Sequence, residues 1–254
     1  MESSVAIASI VFASVFGSAL LGMLVRTAVP VDHLNSESKD VVKLAMGLIA
    51  TMAALVLGLL TASAKSSFDT LDSEVKQGAA NIILLDRVLA QYGPETKDTR
   101  DLLRQAVVYR LKVTWPEEAS RPTQLDTPET TPTVEGIQAR IRALSPQNDG
   151  QRWLQSKAMT ISGDLAAARW LMFAQVSSAI PLLFLVVLVV WLTVLFGSFG
   201  VLAPRNATVI AALALCALSV SGSIFLILEM SRPLEGLIKV SSAPLHYALS
   251  HLGQ

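Results

Sequence analysis

Hydrophobic and polar positions alternate along the chain in long blocks rather than short ones. Four apolar runs stand out: Val5–Val25, Leu44–Ala64, one from about Val176 through Pro181 to Gly197, and Ala207–Met230. Each is long enough to cross a hydrocarbon core, and the one charge among them is Glu229, next to last in the fourth run, so the pattern predicts four membrane-spanning helices. In the second run Ala50, Ala54, Gly58 and Ala62 recur every four residues and form a smooth ridge for helix packing. Past Lys65 the period changes: Phe68, Leu71, Val75, Gly78, Ile82, Leu85, Leu89 and Tyr92 alternate spacings of three and four, a heptad seam continuing the same helix into water. The first run carries two small-residue ridges of its own, Ser9/Ala13/Gly17 and Ser14/Ser18/Gly22.

Between the second and third runs the pattern predicts further helices and no strand. Gly93-Pro94 stops the heptad helix; a second helix, Thr96 to Thr114, buries Leu102, Leu103, Ala106, Val107 and Leu111 and ends at Trp115-Pro116. Pro116 to Pro132 reads as a surface linker with little to bury. Val134, Ile137, Ile141 and Leu144 mark a short third helix, and Ser145-Pro146 is expected to open a fourth whose stripe is Leu154, Ala158, Ile161, Leu165, Ala168 and Met172. Arg26 to Lys43, with Pro30, His33 and Asn35, reads as a polar connection, and Phe199 to Asn206 as a short turn with Asn206 capping the fourth span. Glu229 and Arg232 have the spacing of a helical ion pair, Pro233 breaks the helix, and Ser242-Ala243-Pro244 opens a tail helix with Leu245, Leu249 and Leu252 on one face.

The fold class is therefore all-α: four transmembrane helices with a helical cytosolic insert between the second and third. The division is 1–64 for the first two spans, 65–175 for the insert, 176–230 for the last two spans and 231–254 for the tail. Composition agrees: 52% of the 254 residues are hydrophobic and 16% charged, too apolar for an ordinary soluble domain. Met1-Glu2-Ser3-Ser4 has no basic stretch and the run after it exceeds a signal-peptide core, so it reads as a retained span. Four spans put both termini and the insert on one side. Lys65, Lys76, Lys157, Arg169, Arg232 and Lys239 lie there, against Arg26, Lys39, Lys43 and Arg205 on the other, which favours a cytoplasmic insert and cytoplasmic termini in a bacterial inner membrane.

Charge and chemistry remove several functions. Twenty basic and twenty acidic residues cancel, so no nucleic-acid partner is indicated. Cys216 is single, His33, His246 and His251 do not share a ligand face, and there is no phosphate loop, so neither catalysis nor a metal or other cofactor is predicted. The spans lack the interior ionisable residues of proton relays and voltage sensors, which disfavours a secondary transporter. They do carry hydroxyls, among them Ser9, Ser14, Ser18, Thr51, Thr61, Ser63, Ser219, Ser221 and Ser223, which either bond within and between helices or line a pore wall. On the second span Met52, Leu55, Val56 and Leu59, with Thr51 at their edge, lie largely off the small ridge and suit an apolar constriction gated by dewetting. Lys65 continues that helix at its inner end. Arg205, in the far-side turn, suits either an anion-attracting outer mouth or an interfacial anchor.

The segments Tyr92-Gly93-Pro94-Glu95, Ser162-Gly163-Asp164-Leu165-Ala166, Phe184 to Leu195 and Phe199 to Thr208 resemble those of the bacterial bestrophin-like family. So do Ile227-Leu228-Glu229-Met230, Pro233-Leu234, Gly236-Leu237-Ile238 and Ser241 to Leu245. The resemblance implies kinship with bestrophins: pentameric anion channels with four spans per subunit, a helical cytosolic region and a pore lined by the second span. One departure is plain, because bestrophins carry an aromatic-bearing neck on the second span and Leu44 to Ala64 has no aromatic residue. The expectation is a homo-oligomeric, pentameric channel for chloride or another small inorganic ion, its partners being its own copies and membrane lipid, with the insert extending the pore into the cytoplasm. The rival is a non-conducting scaffold whose insert binds a cytoplasmic protein.

Overall fold

The structure is a computed structural model that describes residues 2–27, 36–115, 134–176, 182–234 and 236–254. The described residues are helical, in the order α1 (Glu2–Val25), α2 (Ser36–Tyr92), α3 (Lys97–Thr114), α4 (Val134–Arg142), α5 (Asp149–Val176), α6 (Leu182–Leu202), α7 (Ala207–Met230) and α8 (Ala243–His251). Four of these, α1, α2, α6 and α7, are long and apolar enough to cross a membrane. The described chain divides into two compact units, Met1–Phe68 with Ala179–Lys239 and Asp69–Ser178 with Val240–Gln254.

In the first unit α1 packs chiefly along α6 and secondarily along α7. The buried stripe of α1 is Val11, Val15, Ala19 and Met23, and it meets Leu185, Leu188, Leu192 and Phe196 of α6 and Ala217, Ile224 and Ile227 of α7. Small residues set how closely α1 and α6 approach. A Cβ on Gly22 would fall onto the Gly197 carbonyl oxygen, and one on Gly200 onto that of Ala19, so both positions require glycine. The Ser18 hydroxyl donates across the seam to the Thr193 carbonyl at 2.9 Å, as well as to Val15 of its own helix. Of the two ridges read from the first run, the Ser18/Gly22 one meets α6, while Ser9 and Ala13 are exposed and Gly17 has open space around it.

The second unit is a helical assembly around a core of its own. The heptad seam of α2 supplies Leu71, Val75, Ile82, Leu85, Leu89 and Tyr92, all buried, together with Ala79 and Val88. Leu103, Val107 and Leu111 of α3, Ile137 and Ile141 of α4, and Ala158 and Ile161 of α5 complete it. Burying side chains of this size is worth about 1.5–3 kcal/mol each, which is what holds short helices such as α4 in place. The tail helix α8 lies on α3 through Leu245 and Ala248, and Trp115 donates its indole N–H to the Val240 carbonyl at 2.9 Å.

Several boundaries differ from expectation for local reasons. The α2 helix begins at Ser36, eight residues before the apolar run, where Lys43 and Asp40 pair at 3.0 Å, so much of the supposed polar connection is helix. The α5 helix begins at Asp149 rather than at Ser145-Pro146: Asn148 accepts the Gln151 N–H at 2.8 Å, and Gln151 reaches back to the Gln147 N–H, a reciprocal cap that Ser145 cannot provide. The α6 helix runs on to Leu202, shortening the turn before α7 to Ala203–Asn206. Asn206 caps α7 as expected, accepting from the Val209 N–H at 2.8 Å. The readings made at Pro30, His33, Asn35, Pro116–Pro132 and Pro181 lie outside the described residues, as does the side chain of Met172.

Candidate functional site

The membrane half of α2 presents three faces. Met46, Ala53, Leu60 and Ala64 are buried, with Val56 and Leu57 half-buried beside them, and this face joins the core of the first unit. At 3.6 residues per turn, Leu48, Leu55 and Leu59 fall on roughly the opposite side with Met52 at their flank, and their exposures are 64%, 72%, 65% and 47%. Between the two lies the small ridge: Ala50 is half-buried, Ala54, Gly58 and Ala62 are exposed, and nothing lies within 4 Å of a Cβ built on Gly58. The intrachain core thus uses neither the ridge nor the large apolar face. Of the pore candidates, Thr51, Met52, Leu55, Leu59 and Lys65 are exposed and Val56 leans against the core.

Seven of the span hydroxyls, Ser18 among them, bond to carbonyls of their own helices. Thr51 donates to Leu48, Thr61 to Leu57, Ser9 to Val5, Ser219 to Leu215, Ser221 to Leu218 and Ser223 to Ser219, each to a carbonyl one turn back. Ser18 is the one that also crosses to a neighbouring helix among these. Lys65 places its ammonium 5.8 Å from the Phe68 ring centroid.

At the far ends of α1 and α6, two arginines cap each other's helices. Arg205 gives Nε and a terminal N–H to the Met23 carbonyl, at 3.0 and 2.6 Å, and Arg26 gives a terminal N–H to the Ala203 carbonyl. The last carbonyls of a helix have no partner in the helix, and a cation there also meets the negative end of the macrodipole. The spacing of Arg26 and Arg205 in sequence gave no sign of this reciprocity.

At the other end of the first unit Glu229 is 2% exposed in the last turn of α7. Its carboxylate accepts the N–H groups of Leu237 and Ile238 and the Ser4 hydroxyl, tying the start of α1 to the strap that follows α7. Gly236 has φ +96, and a Cβ there would strike the Glu229 carboxylate. In the second unit the equivalent buried acid is Asp86, 1% exposed, held in a fork by Arg100 at 2.7 and 2.9 Å. The Asp86 hydrogen bond raises the Arg100 pKa and so favours the charged guanidinium. Gly253 donates to the same carboxylate at 3.3 Å, and Arg87 and Arg100 both reach the Gln254 carbonyl, which fastens the tail. An aspartate inside the heptad seam beside Leu85 was the available signal for this knot. Among the described residues no group of His, Cys, Asp and Glu has the arrangement of a metal site, and Tyr247 and His251 stack on each other at 4.3 Å.

No curated protein sequence matches the chain. Among solved structures, the crystal structure of a bacterial bestrophin homologue from Klebsiella pneumoniae carrying an I180T mutation superimposes with a TM-score of 0.59 over 96% of both chains, at 12% identity, and so shares the fold. The family model of the Bestrophin-like domain matches residues 12–245, nearly the whole chain including the last three long apolar helices and most of the first, and the protein therefore belongs to the Bestrophin-like domain family.

Proposed function

We propose that the protein is a homo-oligomeric ion channel, a pentamer in the bacterial inner membrane, with the second span lining the pore and small anions, chloride foremost, as the permeant species. The observation that carries this reading is the pair of open faces on α2. Leu48, Met52, Leu55 and Leu59 on one side and Ala54, Gly58 and Ala62 on the other are left uncovered by a helix whose third face is already buried. In a ring of subunits the ridge takes the neighbouring copy and the large apolar side meets the axis, with Thr51 at its edge and Lys65 at its cytoplasmic end. The four apolar helices cross the membrane, the insert and both termini are cytoplasmic, and Arg205 stands at the outer rim. Family membership supports a channel, and the absence of fixed charge on the leucine face supports a gate that works by wetting and drying rather than by ion binding.

Flux from liposomes tests this. Purified protein reconstituted in vesicles loaded with chloride passes the ion above empty-vesicle leak, and its detergent-corrected mass is that of a ring. A monomeric or dimeric mass with no flux of any small ion, joined to copurification of a stoichiometric cytoplasmic protein, would establish the scaffold instead.

A further inference from the structure

Two cations, Arg26 and Arg205, meet at one place, where α1 and α6 end and α7 begins. Each is fixed by carbonyl oxygens alone; among the described residues neither guanidinium meets a carboxylate. A guanidinium has five N–H donors, and Arg205 spends two on Met23 and Arg26 one on Ala203, so both keep donors for an acceptor from outside the described chain. Arg205 is exposed and Arg26 half-buried, so the remaining donors are accessible, and the backbone bonds hold both forks in place before anything binds. Planar forks of this kind suit the oxygens of a phosphate.

We infer that Arg26 and Arg205 form a binding site for the phosphate of an anionic phospholipid headgroup, on the side of the membrane where α1 ends. The inference rests on reading α1, α6 and α7 as spans and is independent of conduction. Their apolar stretches end at Val25, Leu202 and Ala207, which sets the pair at the level where headgroup phosphates lie. The bound phosphate would neutralise two like charges while leaving the carbonyl caps intact.

Titration of the detergent-solubilised full chain with short-chain phosphatidylglycerol, phosphatidylcholine or inorganic phosphate, read as apparent affinity from thermal shift, tests the site. The wild type is expected to prefer phosphatidylglycerol, and Arg26→Gln and Arg205→Gln each to weaken that preference about tenfold, the worth of one charge-assisted hydrogen bond. Arg205→Lys keeps the charge and the fold but not the fork, and should weaken it several-fold. A merely structural arginine would lower the melting temperature equally in every lipid and leave the preference unchanged; that result in all three variants overturns the proposal. Protection by inorganic phosphate equal to that by phosphatidylglycerol, lost in the variants, overturns the lipid assignment in favour of a free oxyanion.

Discussion

Gly200 and Gly17 show how one missing side chain is indispensable in one place and idle in another. A methyl on Gly200 meets the Ala19 carbonyl and forces α1 and α6 apart, whereas Gly17 faces open space. Gly200→Ala should cost about 1–3 kcal/mol, the usual range for overpacking, while Gly17→Ala should be neutral or gain up to ~1 kcal/mol of helix propensity. Thermal unfolding in detergent of the two variants side by side checks the contrast. Asp86 makes the corresponding case in the second unit. Asp86→Ala leaves Arg100 without its fork, and breaking a buried pair costs about 3–5 kcal/mol. The lower end applies, because the Arg100 side chain keeps 20% of its surface in water. Urea unfolding should show that loss together with release of the tail, detectable as proteolysis near Gly253, whose N–H the same carboxylate holds.

Helix α2 concentrates the functional question, since its three faces answer to three surroundings. If the ridge seats a neighbouring copy, Gly58→Leu lowers the oligomeric mass while leaving the melting of the subunit nearly unchanged, because nothing in the chain occupies that space. If the leucine face is the constriction, Leu55→Ser or Leu59→Ser raises ion leak by making the narrow stretch easier to wet, and Leu60→Ser unfolds the protein, Leu60 being buried in the core. Vesicle flux and detergent mass on these variants separate the faces. Much of this element was readable beforehand: the apolar run and the heptad give its identity, and Gly93-Pro94 its end, because burial periodicity and backbone stereochemistry are local. The side of α2 that joins the core of the first unit was not readable, since Ala53 and Ala64 are as small as the ridge residues and hydropathy does not rank them. The Arg26–Ala203 and Arg205–Met23 caps and the Glu229 strap escaped for a different reason. They join residues far apart in sequence, and a carbonyl acceptor leaves no mark on the residue that bears it.

Taken whole, the chain is a multi-pass membrane protein of the Bestrophin-like family, with a second compact helical unit formed by Asp69–Ser178 and Val240–Gln254. Of the most apolar eighteen residues of α2, 17% are buried by the chain itself, and the corresponding share does not exceed 33% in α1, α6 or α7. Such exposure is ordinary for lipid contact and for contact with further copies, and in α2 it supports the pore reading because the exposed face is both uncharged and continuous. The second span carries no aromatic residue between Leu44 and Ala64, so conduction has to be read electrically. A planar-bilayer recording of the purified protein under a chloride gradient does so in one step. The account predicts single-channel currents whose reversal potential lies close to the chloride equilibrium potential; a silent bilayer, or a reversal at the cation potential, would contradict it.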